Sequence, residues 1–416
     1  MTEYYDTLET RSPDEREAQL MAALPKQIAL AKRRAPGFKR ILRGIDPKTI
    51  DSRAALARLP VTRKSDLGEL QKALPPLGGL NATPIAKLEK LFVSPGPVYE
   101  PQGSGKDWWR TARGLYAGGF RAGDLVVNTF AYHFTPAGSM LETGARAIGC
   151  TVVPTGTGQT EMQVSTIRDL GALAFVGTPS FLKLIIEKAT EQNVDLSCLK
   201  KAHVGAEYLP PALREAMRAR GIQVSQTYAT ADLGLLAYES LNSDGSVNEG
   251  MILDEQLIVE IVRPGTGDPV PAGEVGEVVV TTFNKDYPLV RFGTGDLSAV
   301  LAGTSPCGRT NTRIKGWMGR ADQTTKVRAM FVTPKQVNEV LRRHPELGKA
   351  RLVVEGETGN DRMTLRCEVS ARAEGLAEAI VASIRDVTKL RGEVELVAPG
   401  SLTNDGKVIE DLRKYG

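Results

Sequence analysis

At 416 residues the chain exceeds the roughly 250–300 residues at which one hydrophobic core stops growing, so two domains are expected. Hydrophobic residues at 41% and charged residues at 25% are ordinary for a globular chain; 53 basic against 49 acidic side chains leave a net +4, too near balance to imply nucleic acid but compatible with a small polyanion such as a nucleotide or CoA. The polar, acidic start MTEYYDTLETRSPDEREAQL is unlike a secretory signal, and no apolar run reaches the roughly 18–20 residues of a membrane span, so no membrane partner and a cytoplasmic location are expected.

Arg16 to Arg34 places Leu20, Leu24, Ile28 and Leu30 at helical spacing among charges and reads as an amphipathic helix. From about Leu88 short β-branched runs alternate with longer helical patterns. The strand candidates are DLVVNTF, TVVP, LAFVG and QVSQTYA; the helices are Ala137–Ile148, Glu161–Leu170, Ser180–Gln192 and Pro211–Ala219. That alternation predicts a mainly parallel sheet covered by helices. QLIVEIVR and GEVGEVVVTTF, joined by PGTGDPVPAG, read as an antiparallel pair. After Gly319 a new pattern begins: VTPKQVNEVLRRH is a helix entered through Pro334, ARLVVEG and MTLRCEVS are paired strands, LAEAIVASIRDVTKL is a helix and EVELVAPG a last strand. The expected fold is therefore α/β, with a large mixed domain over 1–319 that holds parallel sheets and a β-rich portion, and a small α+β domain over 324–416.

Four segments carry chemistry. In YPLVRFGTGDL a strand-like run ends in Gly293-Thr294-Gly295 before Asp296; glycines let backbone approach a ligand, and an acid fixed there accepts hydrogen bonds from both hydroxyls of a ribose. Taken alone, the tripeptide reads better as a hairpin turn. Upstream lies YATADLG, with Tyr228, Ala229, Thr230 and Asp232, otherwise a strand end and turn with one buried tyrosine. Downstream come GWMGRAD with Arg320, and NDGK with Lys407, otherwise a solvated loop charge. Cys150, Cys198, Cys307 and Cys367 form no Cys-x-x-Cys pair, so reduced thiols and no structural zinc are expected. GSGK (Gly103 to Lys106) lacks the first glycine of a phosphate loop and is followed by Asp107.

The order and spacing of these segments resemble the adenylate-forming ligases, most closely the phenylacetate–CoA ligase family, almost end to end. RAALARLPVTRKSDL is similar to its N-terminal signature, VPTGTGQTEMQ and VGTPSFL to its middle ones, and HVGAE to its adenine-binding Gly-Ala-Glu, here Gly205, Ala206 and Glu207. The resemblance implies an acid–CoA ligase for an aryl or arylacetic acid, using ATP, Mg²⁺ and CoA, and it is compatible with a homodimer. It implies that Tyr228 packs on adenine beside Ala229, which stands where the family has Gly, that Thr230 reaches the α-phosphate, Asp232 helps hold Mg²⁺ and Asp296 takes the ribose, and that Arg320 contacts the ribose or acts in the hinge. Lys407 is the implied catalytic lysine, offsetting charge in the pentacoordinate transition state. Residues 320–323 are the implied hinge of a mobile lid domain, with Gln323 where the family often has an aspartate.

Tyr132, His133, Phe134 and Gly138, in or just after NTFAYHFTPAG, are the implied acyl pocket, a packed core histidine being the other reading of His133. The sequence departs from the family at two further points. LFVSPGPVYEP stands where the family has a Ser/Thr/Gly-rich phosphate loop with a lysine; Pro95 and Pro97 remove amide donors and Glu100 adds a repelling charge. Ala329 replaces a glycine of the pantetheine tunnel. The departures leave two further readings: a paralogue that binds AMP or acyl-CoA without activating acids, or an adenylating enzyme that passes the acyl group to an amine or carrier protein.

Overall fold

Val126 and Val127, neighbours on one strand, bury themselves in two different cores, because alternate strand residues point to opposite faces of the sheet. In the computed structural model this strand, Leu125–Asn128, belongs to a sheet that has nine strands among the described residues, which are 3–94, 97–242, 244–321, 323–328, 330–356, 360–371, 373–403 and 407–413. Thr151–Pro154, Leu125–Asn128, Ala174–Gly177, Lys201–Val204 and Gln223–Thr230 are parallel neighbours in that spatial order. Gly234–Tyr238, Met251–Leu253, Arg313–Ile314 and Val300–Leu301 then extend the sheet antiparallel.

The helices Ala137–Ile148, Thr160–Leu170, Pro179–Glu191 and Pro211–Ala219 connect the parallel strands. Local chemistry sets their ends. Thr178 accepts from the Phe181 amide at the start of Pro179–Glu191, whose first residue is the proline that an N-terminus tolerates. Gly149 and Gly171 close their helices in the left-handed conformation. Ile167, Leu182, Ile185 and Met217 pack on Phe175 and Val204, so burial of the apolar helix faces holds this layer to the sheet.

The β-rich portion is a four-stranded sheet, Thr62–Arg63, Phe292–Ser298, Gly276–Thr282 and Leu257–Val262, the last two antiparallel as expected. The GTGD segment differs from the expected strand-then-turn. Tyr287–Val290 is buried but outside any strand, and Gly293–Asp296 lies inside the strand Phe292–Ser298. Asn284 Oδ1 accepts from the Asp286 and Tyr287 amides and folds the apolar run into a loop. The register against Gly276–Thr282 shifts between Glu277 and Val279, and Gly295 sits at φ +74°, so the motif is a β-bulge.

The chain divides into two compact units, Met1–Gly319 and Arg320–Gly416. In the second, Thr333 and Gln336 form a capping box for the helix Pro334–Arg343. Its sheet runs Glu393–Val397, Arg362–Val369, Leu347–Glu355, Ile409–Asp411. EVELVAPG is thus not the last strand, since Ile409–Asp411 adds parallel to Leu347–Glu355. Leu352, Leu365, Ile380 and Ile384 centre a separate core. Among the described residues no helix is long and apolar enough to cross a membrane.

Candidate active site

The short strand Thr62–Arg63 pairs in parallel with Phe292–Gly293, immediately before the bulge. This pairing delivers the next residue, Lys64, to the carboxylate of Asp232, with Nζ 2.5 Å from Oδ2. Asp232 is 3% exposed in the turn between Gln223–Thr230 and Gly234–Tyr238. The Thr230 hydroxyl accepts from the Leu233 amide, so its oxygen shapes that turn. Gly234, at φ +74°, lies so close to Trp109 that a Cβ would meet its carbonyl oxygen at 2.5 Å, which makes glycine necessary there.

Glu100 faces the same cluster from the hairpin strand Val98–Gln102, fully buried. Burial first, then the charge of Asp232, raises its pKa to about 8, while Lys64 and Ser94 pull the other way. Burial opposes the charge of Lys64, but Asp232, Glu100 and Asp296 outweigh it and raise the lysine pKa. The expected phosphate loop is therefore the turn of the hairpin Lys90–Ser94 and Val98–Gln102; Pro95 and Gly96 lie outside the described residues.

Asp296, 8% exposed, accepts from the Tyr228 hydroxyl on Oδ2 at 2.8 Å and from the Trp317 indole N–H on Oδ1 at 3.2 Å. Thr294 anchors the bulge by donating to the Val278 carbonyl and accepting from the Asp296 amide. The strand Gln223–Thr230 shifts register between Tyr228 and Ala229, just before Thr230. Gly205, Ala206 and Glu207 follow the adjacent strand Lys201–Val204, with Ala206 at φ +65°. The Glu207 carboxylate accepts from the Ser180 amide at the start of Pro179–Glu191, and its carbonyl accepts from Gln226 Nε2. Both motifs thus occupy the carboxyl ends of neighbouring parallel strands, where open α/β sheets bind ligands.

The segment Tyr132–Gly138 follows the carboxyl end of Leu125–Asn128. Asn128 Nδ2 donates to the Tyr132 hydroxyl at 2.8 Å and to the Gly138 carbonyl at 2.9 Å. A Cβ at Gly138 would meet the Ala131 carbonyl oxygen at 2.6 Å and the Tyr132 ring at 3.0 Å, so glycine lets the ring lie against the helix start. His133 is exposed, which removes the reading of a packed core histidine. Phe134 is 72% exposed at φ +59°, and its carbonyl accepts from the Val93 amide of the hairpin.

In the second unit, Lys407 pairs with Glu410 at 3.1 Å and is half exposed. Gln323 Oε1 accepts from the Val408 and Ile409 amides at 2.7 and 3.3 Å, so its side chain holds the segment after the lysine. Arg320 opens this unit. Asp322, Ala329 and Asn404–Gly406 lie outside the described residues. All four cysteines are free, and among the described residues no group of three or more His, Cys, Asp or Glu could hold a metal ion. In place of a phosphate loop, Gly103 lets Asp286 reach Trp108: a Cβ there would meet the Asp286 carboxylate at 2.1 Å. Three residues of the site carried no functional assignment from sequence: Lys64, Glu100 and Trp317.

A parallel sheet with core on both faces, the Gly205–Glu207 and Tyr228–Asp232 segments at the carboxyl ends of its strands, and a separate α+β unit make the fold of an adenylate-forming enzyme. Residues 106–284 match the model of the AMP-binding enzymes, and 329–411 that of their C-terminal domain. The phenylacetate-coenzyme A ligase of Thermus thermophilus is 30% identical over 99% of this chain and 100% of its own length. That of Aromatoleum evansii is 30% identical over 95% of this chain and 93% of its own. A 2-hydroxyisobutyryl-CoA ligase crystallised with 2-HIB-AMP and CoA superposes with a TM-score of 0.84 at 25% identity, over 100% of this chain and 93% of that one. The chain belongs to the phenylacetate–CoA ligase family of AMP-binding enzymes.

Proposed function

We propose that the protein is an AMP-forming acid–CoA ligase acting on an aryl or arylacetic acid. The observation that carries this reading is Asp296, held in the bulge with both carboxylate oxygens oriented by Tyr228 and Trp317, Tyr228 lying on the strand that pairs with the one leading into Gly205–Glu207. In this reading Gly205, Ala206, Glu207, Tyr228 and Ala229 take adenine, and Asp296 and Arg320 take the ribose. Thr230 approaches the α-phosphate, and Tyr132, His133, Phe134 and Gly138 line the acyl pocket. A substrate carboxylate oxygen attacks the α-phosphorus of ATP, the bond to the β-phosphate breaks, and pyrophosphate leaves an acyl-adenylate. The CoA thiolate then attacks the acyl carbon and AMP departs. Lys407 offsets the charge of the first transition state, and rotation about 320–323 withdraws it for the second step.

Asp232 fits a Mg²⁺ ligand: its Oδ1 is buried without a hydrogen-bond partner. The cation would supply charge neutralisation at the phosphates. A cytoplasmic location and a homodimer are part of the same reading.

ATP–pyrophosphate exchange across a panel of aryl and arylacetic acids, followed by addition of CoA, tests the reading. Acid-dependent exchange and CoA thioester formation are expected. Binding of AMP without binding of ATP would instead establish a protein that kept the adenylate site and lost acid activation, the alternative that Glu100 in the hairpin favours.

A further inference from the structure

Arg110 stands at φ +63°, in the left-handed region, immediately before the helix Thr111–Ala117. A residue other than glycine rests there only where its surroundings hold it, and such residues cluster at functional sites. On the backbone side, Asp107, the acid that follows GSGK, accepts the Thr111 and Ala112 amides on its two carboxylate oxygens, each at 2.9 Å. Its carbonyl accepts the Arg110 amide at 3.0 Å. The guanidinium is 12% exposed and donates from Nε to Asp254 Oδ1 at 2.9 Å. From Nη2 it donates to the carbonyls of Leu233 and Leu235 at 2.6 and 3.1 Å. Asp254 is 1% exposed, with the Gln256 amide on the same oxygen and Arg113 Nε 3.5 Å from the other.

The two carbonyls flank Gly234 and close the turn that carries Thr230 and Asp232. Leu233 is tied at both ends, its amide donating to the Thr230 hydroxyl and its carbonyl taking Arg110. The Leu235 amide adds a bond to the Trp109 carbonyl at 2.9 Å. Joining one carboxylate to two carbonyls takes several N–H donors in a fixed planar fork, which arginine has and lysine lacks. Tyr228 and Asp296 are held by each other and by Trp317, outside this clamp.

We propose that Arg110 is a positioning residue for the phosphate end of the site, clamping the turn 231–233 so that the Thr230 hydroxyl and the Asp232 carboxylate keep one geometry. It acts through Leu233 and not by touching nucleotide. That the turn serves phosphates rests on the AMP-forming reading; the clamp itself rests on the hydrogen bonds.

The test compares Arg110→Gly and Arg110→Lys with the unaltered full-length protein. Glycine takes the left-handed backbone without strain, so the first variant removes the guanidinium and little else. Calorimetry is run with MgATP and, separately, with adenosine, which offers adenine and ribose but no phosphate. Arg110→Gly should weaken MgATP at least tenfold and leave adenosine within threefold, and Arg110→Lys, with the charge but not the fork, should fall between. Equal loss for both ligands, or MgATP affinity within twofold of the unaltered protein, overturns the proposal. Thermal unfolding is followed alongside, and should Arg110→Gly not fold, Arg110→Lys decides by the same split. Amide hydrogen exchange is measured on the nucleotide-free protein. Leu233 and Leu235 should exchange at least tenfold faster in Arg110→Gly, or in Arg110→Lys if it alone folds, and unchanged rates overturn the clamp whether or not nucleotide binds. Failure of the unaltered protein to bind MgATP counts against the ligase reading alone.

Discussion

The Tyr228 hydroxyl donates to Oδ2 of Asp296 at 2.8 Å, and the two residues belong to strands of different sheets. With Trp317 on the other oxygen, the carboxylate is oriented without a ligand, which in the proposed reading spares a bound ribose the cost of ordering it. Hydrogen bonds to charged groups contribute about 1.5–3 kcal/mol. Tyr228→Phe is therefore expected to weaken AMP binding by about tenfold or more in calorimetry, with little change in affinity for the acid. Unchanged AMP affinity would separate Asp296 from the ribose.

Gly138→Ala places a methyl against the Ala131 carbonyl oxygen and the Tyr132 ring. The carbonyl belongs to the main chain, so the ring and the loop Tyr132–Phe134 must give way. Overpacking of this kind costs about 1–3 kcal/mol. Urea denaturation should show that loss, and the KM for the acid should rise several-fold while that for ATP stays within twofold. Equal changes in both KM values would detach this loop from acyl binding.

The parallel sheet was legible because its signals are local. Val126 and Val127 sit in an apolar run bounded by Gly123 and the Ala137–Ile148 helix, and the helices carry their own apolar faces and caps. What was not legible depends on partners distant in sequence. The GTGD segment reads as a turn because glycines favour turns, and only its pairing with Gly276–Thr282, with Thr294 on the Val278 carbonyl, makes it a bulge. Lys64 looks like any surface lysine in RKSDL until Thr62–Arg63 pairs beside Phe292–Gly293 and turns it toward Asp232. Glu100 could be seen as an unfavourable charge, but not as a fully buried one, because burial is a property of the packed hairpin. The relation of Gln323 to the Lys407 segment needed the extra strand Ile409–Asp411, too short to announce itself in sequence.

His203 lies 1% exposed on the strand before the Gly205–Glu207 loop, with Nδ1 2.8 Å from the Ser225 hydroxyl. Burial lowers its pKa to about 3, against an ordinary 6.5. Between those values the unfolded chain holds a proton that the folded chain refuses, so stability rises with pH across the window. The contribution is fully present above about pH 6.5 and is lost as pH falls toward 3. Urea midpoints measured from pH 7 to pH 4 should fall less steeply in His203→Gln than in the unaltered protein, whatever the variant's stability at neutral pH. An unchanged slope would mean that other groups dominate acid unfolding.

Lys407 is half exposed and its pair with Glu410 spans 3.1 Å. Ion pairs at such positions contribute little to stability, so the lysine gives up little by leaving this partner for a phosphate. Gln323, at φ +56° in the segment read as the hinge, accepts the amides of Val408 and Ile409, so the lysine and that segment share one hydrogen-bonded piece of the second unit. A lysine needed only while charge builds on the α-phosphate should matter to one half-reaction alone. Lys407→Ala is expected to lower pyrophosphate exchange by about a hundredfold or more, a loss typical of removing one transition-state charge contact. Thioester formation from CoA and a synthetic acyl-adenylate should stay within a few-fold, and the melting temperature should be unchanged. Gln323→Ala leaves the ammonium in place and loosens its support, so it should slow exchange less than Lys407→Ala and alter thiolation as well, since in the proposed reading both half-reactions use the rotation. Equal loss of both half-reactions in Lys407→Ala would make the lysine a structural residue of its unit.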